Sequence, residues 1–190
     1  MSIAENSAQN PAEEPVWFAM SATFGRELKA KALLESKDVT CFVPMRYELV
    51  GDKKLGKKRK LKPAIHNLIF VFATKSEIQT LKAGIEYLHY LTQPCNGRNI
   101  PIIVPEEQMR QFITVCNTYD EKLEYVTAEE IDFEEGTPVK IIGSAFDGVE
   151  GTFVKVDKSG RKKRVVVMVK GIAAVMLAKL SDGYLQPLQQ

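Results

Sequence analysis

Histidine and cysteine are scarce in this sequence, with two His and three Cys among 190 residues. His66 and His89 each stand without a carboxylate or cysteine at ligand spacing, and Cys41, Cys95 and Cys116 form no CxxC pair. A structural zinc site needs such donors clustered, so the sequence offers no metal site, and no cofactor motif accompanies it. An odd number of cysteines argues against a disulfide framework and predicts reduced, buried thiols. A thiol hydrolase pairing Cys41 or Cys95 with His66 or His89 lacks both a local signature and an orienting carboxylate, so the chain reads as a non-enzyme. Long apolar runs are missing too. Apolar runs such as residues 67–73 are far short of the ~20 residues that cross a bilayer, and the acidic, proline-containing start has no signal-peptide core. A cytoplasmic protein without membrane contact is expected.

What is present is ordinary globular material, 45% hydrophobic, enough for one moderate core or two small ones. The formal net charge of +2 conceals a strong segregation: −3 over residues 1–16, +8 over 17–105, −8 over 106–135 and +5 over 136–190. A basic block attracts phosphate, and an acidic block repels it and stays solvated. Residues 1–15 are too polar to offset their ordering entropy and are expected to form a disordered tail. Residues 118–135 read as an acidic linker ending at Gly136-Thr137-Pro138, which leaves modules at 16–117 and 136–190.

In the first module, residues 16–22 (VWFAMSA) have buried-strand composition, and Phe24-Gly25 follows as a turn. Residues 26–36 predict an amphipathic helix with Glu27 and Lys31 as an i,i+4 pair. Strand composition returns over 39–49, where Pro44 implies an edge or a bulge. Residues 50–63 carry Lys53, Lys54, Lys57, Lys58, Arg59, Lys60 and Lys62, so a mobile basic hairpin or loop is expected, either solvated or in contact with phosphate. Residues 67–73 (NLIFVFA) read as the central strand, buried on one face or both. A short helix capped by Ser76, a strand at 87–91 and a helix at 105–116, with Met109, Phe112, Ile113 and Cys116 on one side, complete the unit. This order is the split βαβ, or ferredoxin-like, pattern: an α+β sandwich whose antiparallel sheet carries helices on one face and leaves the other for a partner.

The second module shows short β-rich runs at 139–142, 152–156 and 164–169 between turns that contain Gly143, Gly148, Gly151 and 158–161 (KSGR), the grammar of a small barrel. Residues 172–180 (IAAVMLAKL) conflict with it, being rich in strong helix formers where a barrel strand should lie. Two readings stay open there: an ordinary buried strand, or a segment that packs as helix against the first module.

Residues 133–157, FEEGTPVKI through FDGVEGTFVKVD, resemble a KOW motif with Gly151 at the hallmark glycine. Trp17-Phe18, Arg26-Glu27, Phe42-Val43-Pro44, the run from Asn67 to Phe72 and Ile103-Val104-Pro105 together resemble the N-terminal (NGN) domain of NusG-type transcription factors. The resemblance spans residue 16 to about 188 and implies an NGN domain followed by an SH3-like KOW barrel. The basic insertion and His66-Asn67 are similar to specialised paralogues such as RfaH and the antiterminators of surface-polysaccharide operons.

The resemblance further implies a monomer that bridges the RNA polymerase clamp and the opposing lobe, favouring the processive state without chemistry of its own. It places clamp contacts at Phe42, Tyr47, Ile65, Leu68 and Phe70, and contacts to the opposing lobe at Lys75, Ser76 and Glu77. Phosphates of the non-template DNA or nascent RNA would lie near Arg26, Lys29, Lys82 and the basic loop with Lys57, Lys58, Arg59 and Lys60. The KOW module would recruit a ribosomal small-subunit protein or a termination factor. The alternatives are a general elongation factor and a ribosome-associated KOW protein.

Overall fold

A computed structural model of the chain describes residues 13–51, 57–118, 123–127, 137–142, 146–155, 163–169, 172–176 and 185–188. The expected tail at 1–12, Lys53 and Lys54, most of the acidic linker, Gly143, the 158–161 turn and residues 177–180 lie outside them.

The first module follows the expected order with additions. Strand β1 (Val16–Ala22) leads through the Phe24-Gly25 turn to α1 (Glu27–Glu35) and β2 (Thr40–Phe42). A hairpin, β3 (Met45–Val50) and β4 (Lys58–Pro63), precedes β5 (Leu68–Ala73), α2 (Lys75–Ala83) and β6 (Leu88–Tyr90). A second hairpin, β7 (Thr92–Cys95) and β8 (Arg98–Pro101), is followed by β9 (Ile103–Val104) and α3 (Glu106–Cys116). The main sheet runs β2-β5-β1-β6, antiparallel at each pairing, with β9 taking the rest of the β1 edge beside β6. That is the split βαβ order. The chain leaves the β1 edge at Leu91 and rejoins it at Ile102, and the turn of the intervening hairpin is Asn96-Gly97, both at positive φ, the dipeptide that favours a two-residue hairpin turn.

Both faces of this sheet are covered, which corrects the expectation of one free face. Phe18, Met20, Ala22, Ile69, Val71 and Ala73 pack with Ala30 and Leu34 of α1 and Ile78 of α2. On the opposite face Ala19, Leu68, Phe70 and Val104 pack with Met109, Phe112, Val115 and Cys116 of α3. Period-two alternation puts successive apolar residues of β1 and β5 on opposite faces, so an unbroken apolar run needs two covers. Phe112 meets Phe70 and Phe42 edge-on, at centroid distances of 5.8 and 6.2 Å.

The second module is a six-stranded antiparallel sheet ordered β10-β14-β13-β12-β11-β15. Its strands are β10 (Glu124–Thr127), β11 (Thr137–Ile141), β12 (Glu150–Lys155), β13 (Lys163–Val169), β14 (Ala173–Met176) and β15 (Leu185–Pro187). Strand β10 corrects the linker expectation, because part of the acidic segment pairs with β14 as an edge of this sheet. The described part of the apolar segment, Ala173–Met176, is strand β14, paired with β10 and β13. Val139, Ile141, Phe146, Val149, Val165, Val167 and Val169 bury against the same apolar cluster as α3, so that helix is packed on two sides. The fold class is α+β, as the sequence indicates.

Gly151 shows what its position demands. A Cβ there would lie 2.8 Å from the Val166 carbonyl oxygen and 2.9 Å from Val165 Cγ1, where β12 crosses β13. Gly148 serves differently, adopting φ +82 in the turn before β12. Gly151→Ala is expected to destabilise the second sheet by about 1–3 kcal/mol through overpacking against backbone, read as a lowered urea midpoint of intrinsic Tyr fluorescence. An unchanged midpoint would refute the close-approach account.

Candidate functional site

The turn between β1 and α1 is built around one carboxylate. Glu27 is 2% exposed, the buried charged residue among the described positions, and it does not pair with Lys31 as expected. Lys31 instead pairs with Glu35, while Glu27 Oε1 accepts the Asn67 backbone N–H and lies 3.6 Å from His66 Nδ1. Asn67, at φ +62, returns its side-chain oxygen to the Gly25 N–H at 2.9 Å, and its carbonyl accepts the Ala22 N–H at 2.7 Å. His66-Asn67 is therefore the structural partner of the first turn of α1. Asparagine suits this place because it tolerates the left-handed region and carries a local acceptor.

Above this lock the expected nucleic-acid residues Arg26, Lys29 and Lys82 converge on two tyrosines that the sequence reading missed. The Arg26 guanidinium lies 5.0 Å from the Tyr87 ring centre, Lys29 Nζ 5.5 Å from the same ring, and Lys82 Nζ 4.1 Å from that of Tyr90. Arg26 also sits 5.4 Å over Phe24, which is 82% exposed. Cations over aromatic faces are held with about 0.5–1 kcal/mol each at exposed sites, enough to orient them and not enough to bury them.

The basic segment is a two-faced ribbon rather than a shapeless loop. Register pairs Tyr47 with Leu61 and Leu49 with Arg59 on one face, and Arg46 with Lys62, Glu48 with Lys60 and Val50 with Lys58 on the other. Pro44 lies between β2 and β3, and its carbonyl accepts the Ala64 N–H at 2.8 Å where the hairpin begins. Arg46 and Lys62 reach Glu48 at 2.8 and 3.0 Å and hold its carboxyl below its usual range. Lys57, Lys58 and Lys60 stay exposed, while Arg59 stacks 4.6 Å over Tyr47. A cleft of about 400 Å³ lies between this ribbon and the Glu27 turn, lined by Gly25, Leu28, Arg46, Lys62, Pro63 and His66 among others.

The residues expected to form the clamp pocket divide. Leu68 and Phe70 are 4% and 0% exposed, core side chains under α3, which corrects their placement on a binding surface. Phe42 and Ile65 are half-buried at the margin of the same cluster, and Tyr47 stands out on the ribbon at 44% exposed. Lys75, Ser76 and Glu77 lie past the other end of β5, roughly 20 Å along the strand direction at ~3.4 Å per residue. Thr74, not Ser76, caps α2: its hydroxyl accepts the Glu77 N–H at 3.2 Å while the Glu77 carboxylate accepts the Thr74 N–H, a capping box that lowers the Glu77 pKa. The Ser76 N–H donates to Glu13 at 3.0 Å.

The cysteines divide as well. Cys116 is buried, Cys41 half-buried and Cys95 exposed on the second hairpin, against the expectation of three buried thiols. Burial pushes the Cys116 thiol up to about 12 and that of Cys41 up to about 11, away from the range of a nucleophile. Among the described residues no group of His, Cys, Asp and Glu could hold a metal ion, and no helix is long and apolar enough to cross a membrane.

A family model described as transcription termination factor nusG matches residues 15–113, just over half of the chain. Among solved structures, one on domain interaction in Thermotoga maritima NusG is 18% identical, covers 93% of this chain and 98% of its own, and superposes with a TM-score of 0.46. A crystal structure of an MjSpt4:Spt5 complex is 16% identical over 92% of this chain and 98% of its own, with a TM-score of 0.31. No curated protein matches significantly.

Two outcomes follow from this geometry. Glu27→Ala strands the Asn67 N–H in a buried turn and is expected to cost about 1–3 kcal/mol in chemical denaturation; a smaller cost would mean that Asn67 finds water there. Titration with a thiol reagent at neutral pH is expected to modify Cys95 at once and Cys116 only on unfolding, and rapid labelling of Cys116 would contradict the packing of α3.

Proposed function

The chain belongs to the NusG family of transcription factors, and from that premise we propose that it binds RNA polymerase and nucleic acid together as an antitermination factor for particular operons. The observation that carries the nucleic-acid half is the convergence of Arg26, Lys29 and Lys82 on Tyr87 and Tyr90, with an exposed basic ribbon in the same module. Several cations fixed on one surface give phosphate affinity that falls steeply with salt.

The polymerase half places the clamp contact at the apolar margin formed by Phe42 and Ile65 with Tyr47 beyond it. The contact to the opposing lobe lies at Lys75, Ser76 and Glu77, exposed at the other end of β5. A body holding two sites apart on a stiff sheet suits a factor that bridges the polymerase channel, since binding both sides favours the closed conformer. The specialised role rests on the basic ribbon and on His66-Asn67; a general elongation factor is the alternative. The second module would recruit a ribosomal small-subunit protein or a termination factor.

Transcription in vitro with cognate polymerase tests the reading: the protein is expected to raise read-through on templates carrying the leader of its own operon and to leave unrelated templates unchanged. Tyr47→Ala should weaken polymerase binding at least tenfold, by about 1.4 kcal/mol or more, with an unchanged thermal midpoint. Wild-type protein that neither binds polymerase nor alters pausing or termination would refute it.

A further inference from the structure

Among the described residues Phe24 is the most exposed large hydrophobic residue, at 82%, although nearly every other aromatic around it is buried at least in part. Its backbone is also unfavourable, at φ +63, where a side chain crowds the following carbonyl and glycine would sit without strain. The turn is not loose. The Thr23 N–H donates to Tyr87 O at 2.9 Å, the Gly25 N–H donates to Asn67 Oδ1 at 2.9 Å, and the buried Glu27 holds Asn67 in place. A rigid support keeps a phenyl ring in solvent in a conformation that phenylalanine disfavours. Residues held this way by their surroundings concentrate at functional positions.

The surroundings indicate what the ring meets. Arg26 is held between Phe24 and Tyr87, Lys29 shares the Tyr87 ring, and Lys82 covers Tyr90. Of the nearby acids Glu27 is buried and bonded to Asn67, and Glu86, next to Tyr87, is exposed. A planar apolar face bordered by cations matches an unpaired nucleotide, which offers a π-face and a phosphate within one residue. A duplex offers the phosphates alone, because its base faces are stacked on one another. An apolar protein partner would have to desolvate three cations.

We infer that Phe24 is a base-stacking residue that makes this surface prefer single-stranded over double-stranded nucleic acid, with Arg26, Lys29 and Lys82 engaging the flanking phosphates. This rests on the nucleic-acid half of the proposed function and adds the residue that reads strandedness. Because stacking is tolerant of base identity, the preference is for an unpaired base and not for one sequence.

Fluorescence anisotropy of the full chain with a short mixed-sequence single-stranded DNA, the RNA of the same sequence and the corresponding DNA duplex provides the test. Phe24→Ala is expected to weaken binding of single strands about tenfold, the loss of one stacked base, to leave duplex binding unchanged, and to leave the salt slope unchanged. Phe24→Tyr should restore single-strand binding. Arg26→Gln should lower the salt slope by about one on every probe. Phe24→Gly, which removes both the ring and the strain, should lose single-strand binding while its thermal midpoint stays level or rises, separating recognition from folding. An effect on DNA, on RNA or on both supports the inference and indicates which strand is met. Equal loss on single strand and duplex, failure of the Tyr variant to restore binding, or Phe24→Ala within twofold of wild type on all probes overturns it. Wild-type protein that binds no probe even at low salt overturns both this inference and the nucleic-acid half of the proposed function, whereas polymerase binding, measured separately, is untouched by either result.

Discussion

Strand β5 has no polar side chain, and a strand of that kind must be covered on both faces. Leu68 and Phe70 point one way and Ile69 and Val71 the other, all at 4% exposure or less. At roughly 1.5–3 kcal/mol for each large side chain, leaving either face in water would erase much of the margin by which a small domain folds. Helices α1 and α2 cover one face and α3 the other. Because α3 carries more apolar residues than one sheet can hide, its remaining surface is buried by Val165, Val167 and Val169 of the second module. Gln111 and Tyr125 add polar ties across the modules: the Gln111 side chain accepts the Glu150 N–H at 3.2 Å and the Tyr125 hydroxyl donates to Met45 O at 3.2 Å. The apolar cluster therefore runs through both modules, and α3 belongs to each.

Glu27 performs a second, local task. Its carboxylate fixes Asn67, which fixes Gly25, so that the end of β1, the start of α1 and the start of β5 share one polar joint. The cleft beside that joint is lined by Gly25, Glu27 and Leu28 from the turn that carries Arg26 and by Arg46 and Lys62 from the ribbon root. Relative placement of the two basic elements thus depends on a buried carboxylate that touches no ligand in the proposed scheme. Removing it would disturb stability and recognition together, which is why binding measurements on variants of Phe24 and Arg26 are more informative than those on variants of Glu27.

Much of this was legible in the sequence, and the misses share a cause. The order β1-α1-β2-β5-α2-β6-α3, the basic hairpin and the β-rich second module follow from periodicity and composition, because each is set by residues close in the chain, whereas the short polar strands β7 and β8 and the two-residue β9 carry no such signal. The Gly151 requirement was visible as a family glycine, and its reason, the Val166 carbonyl 2.8 Å away, was not. The second cover on the sheet was implied by the unbroken apolar runs of β1 and β5, yet α3 looked one-sided until the second module was seen against it. Leu68 and Phe70 were assigned to a surface because apolar residues in a partner-binding domain fit either role, and only packing decides between them. Phe24, Tyr87 and Tyr90 escaped because their significance is that a turn, a helix and an edge strand bring them among Arg26, Lys29 and Lys82, separations that no local window spans.

Charge and apolar surface are divided between the two halves of the molecule in a consistent way. The apolar surplus of the first module is spent on α3 and on contact with the second, whereas its basic surplus stays outside, on the ribbon and around β6. The acidic segment supplies β10, whose Tyr125 hydroxyl donates to Met45 O at the ribbon root. Phosphate approaching the ribbon would feel the local cations at short range, within about a Debye length, ~8 Å at physiological salt. Among Arg26, Lys29 and Lys82 the cations are fixed over aromatic rings, and there too the exposed Phe24 ring is held open to receive a base.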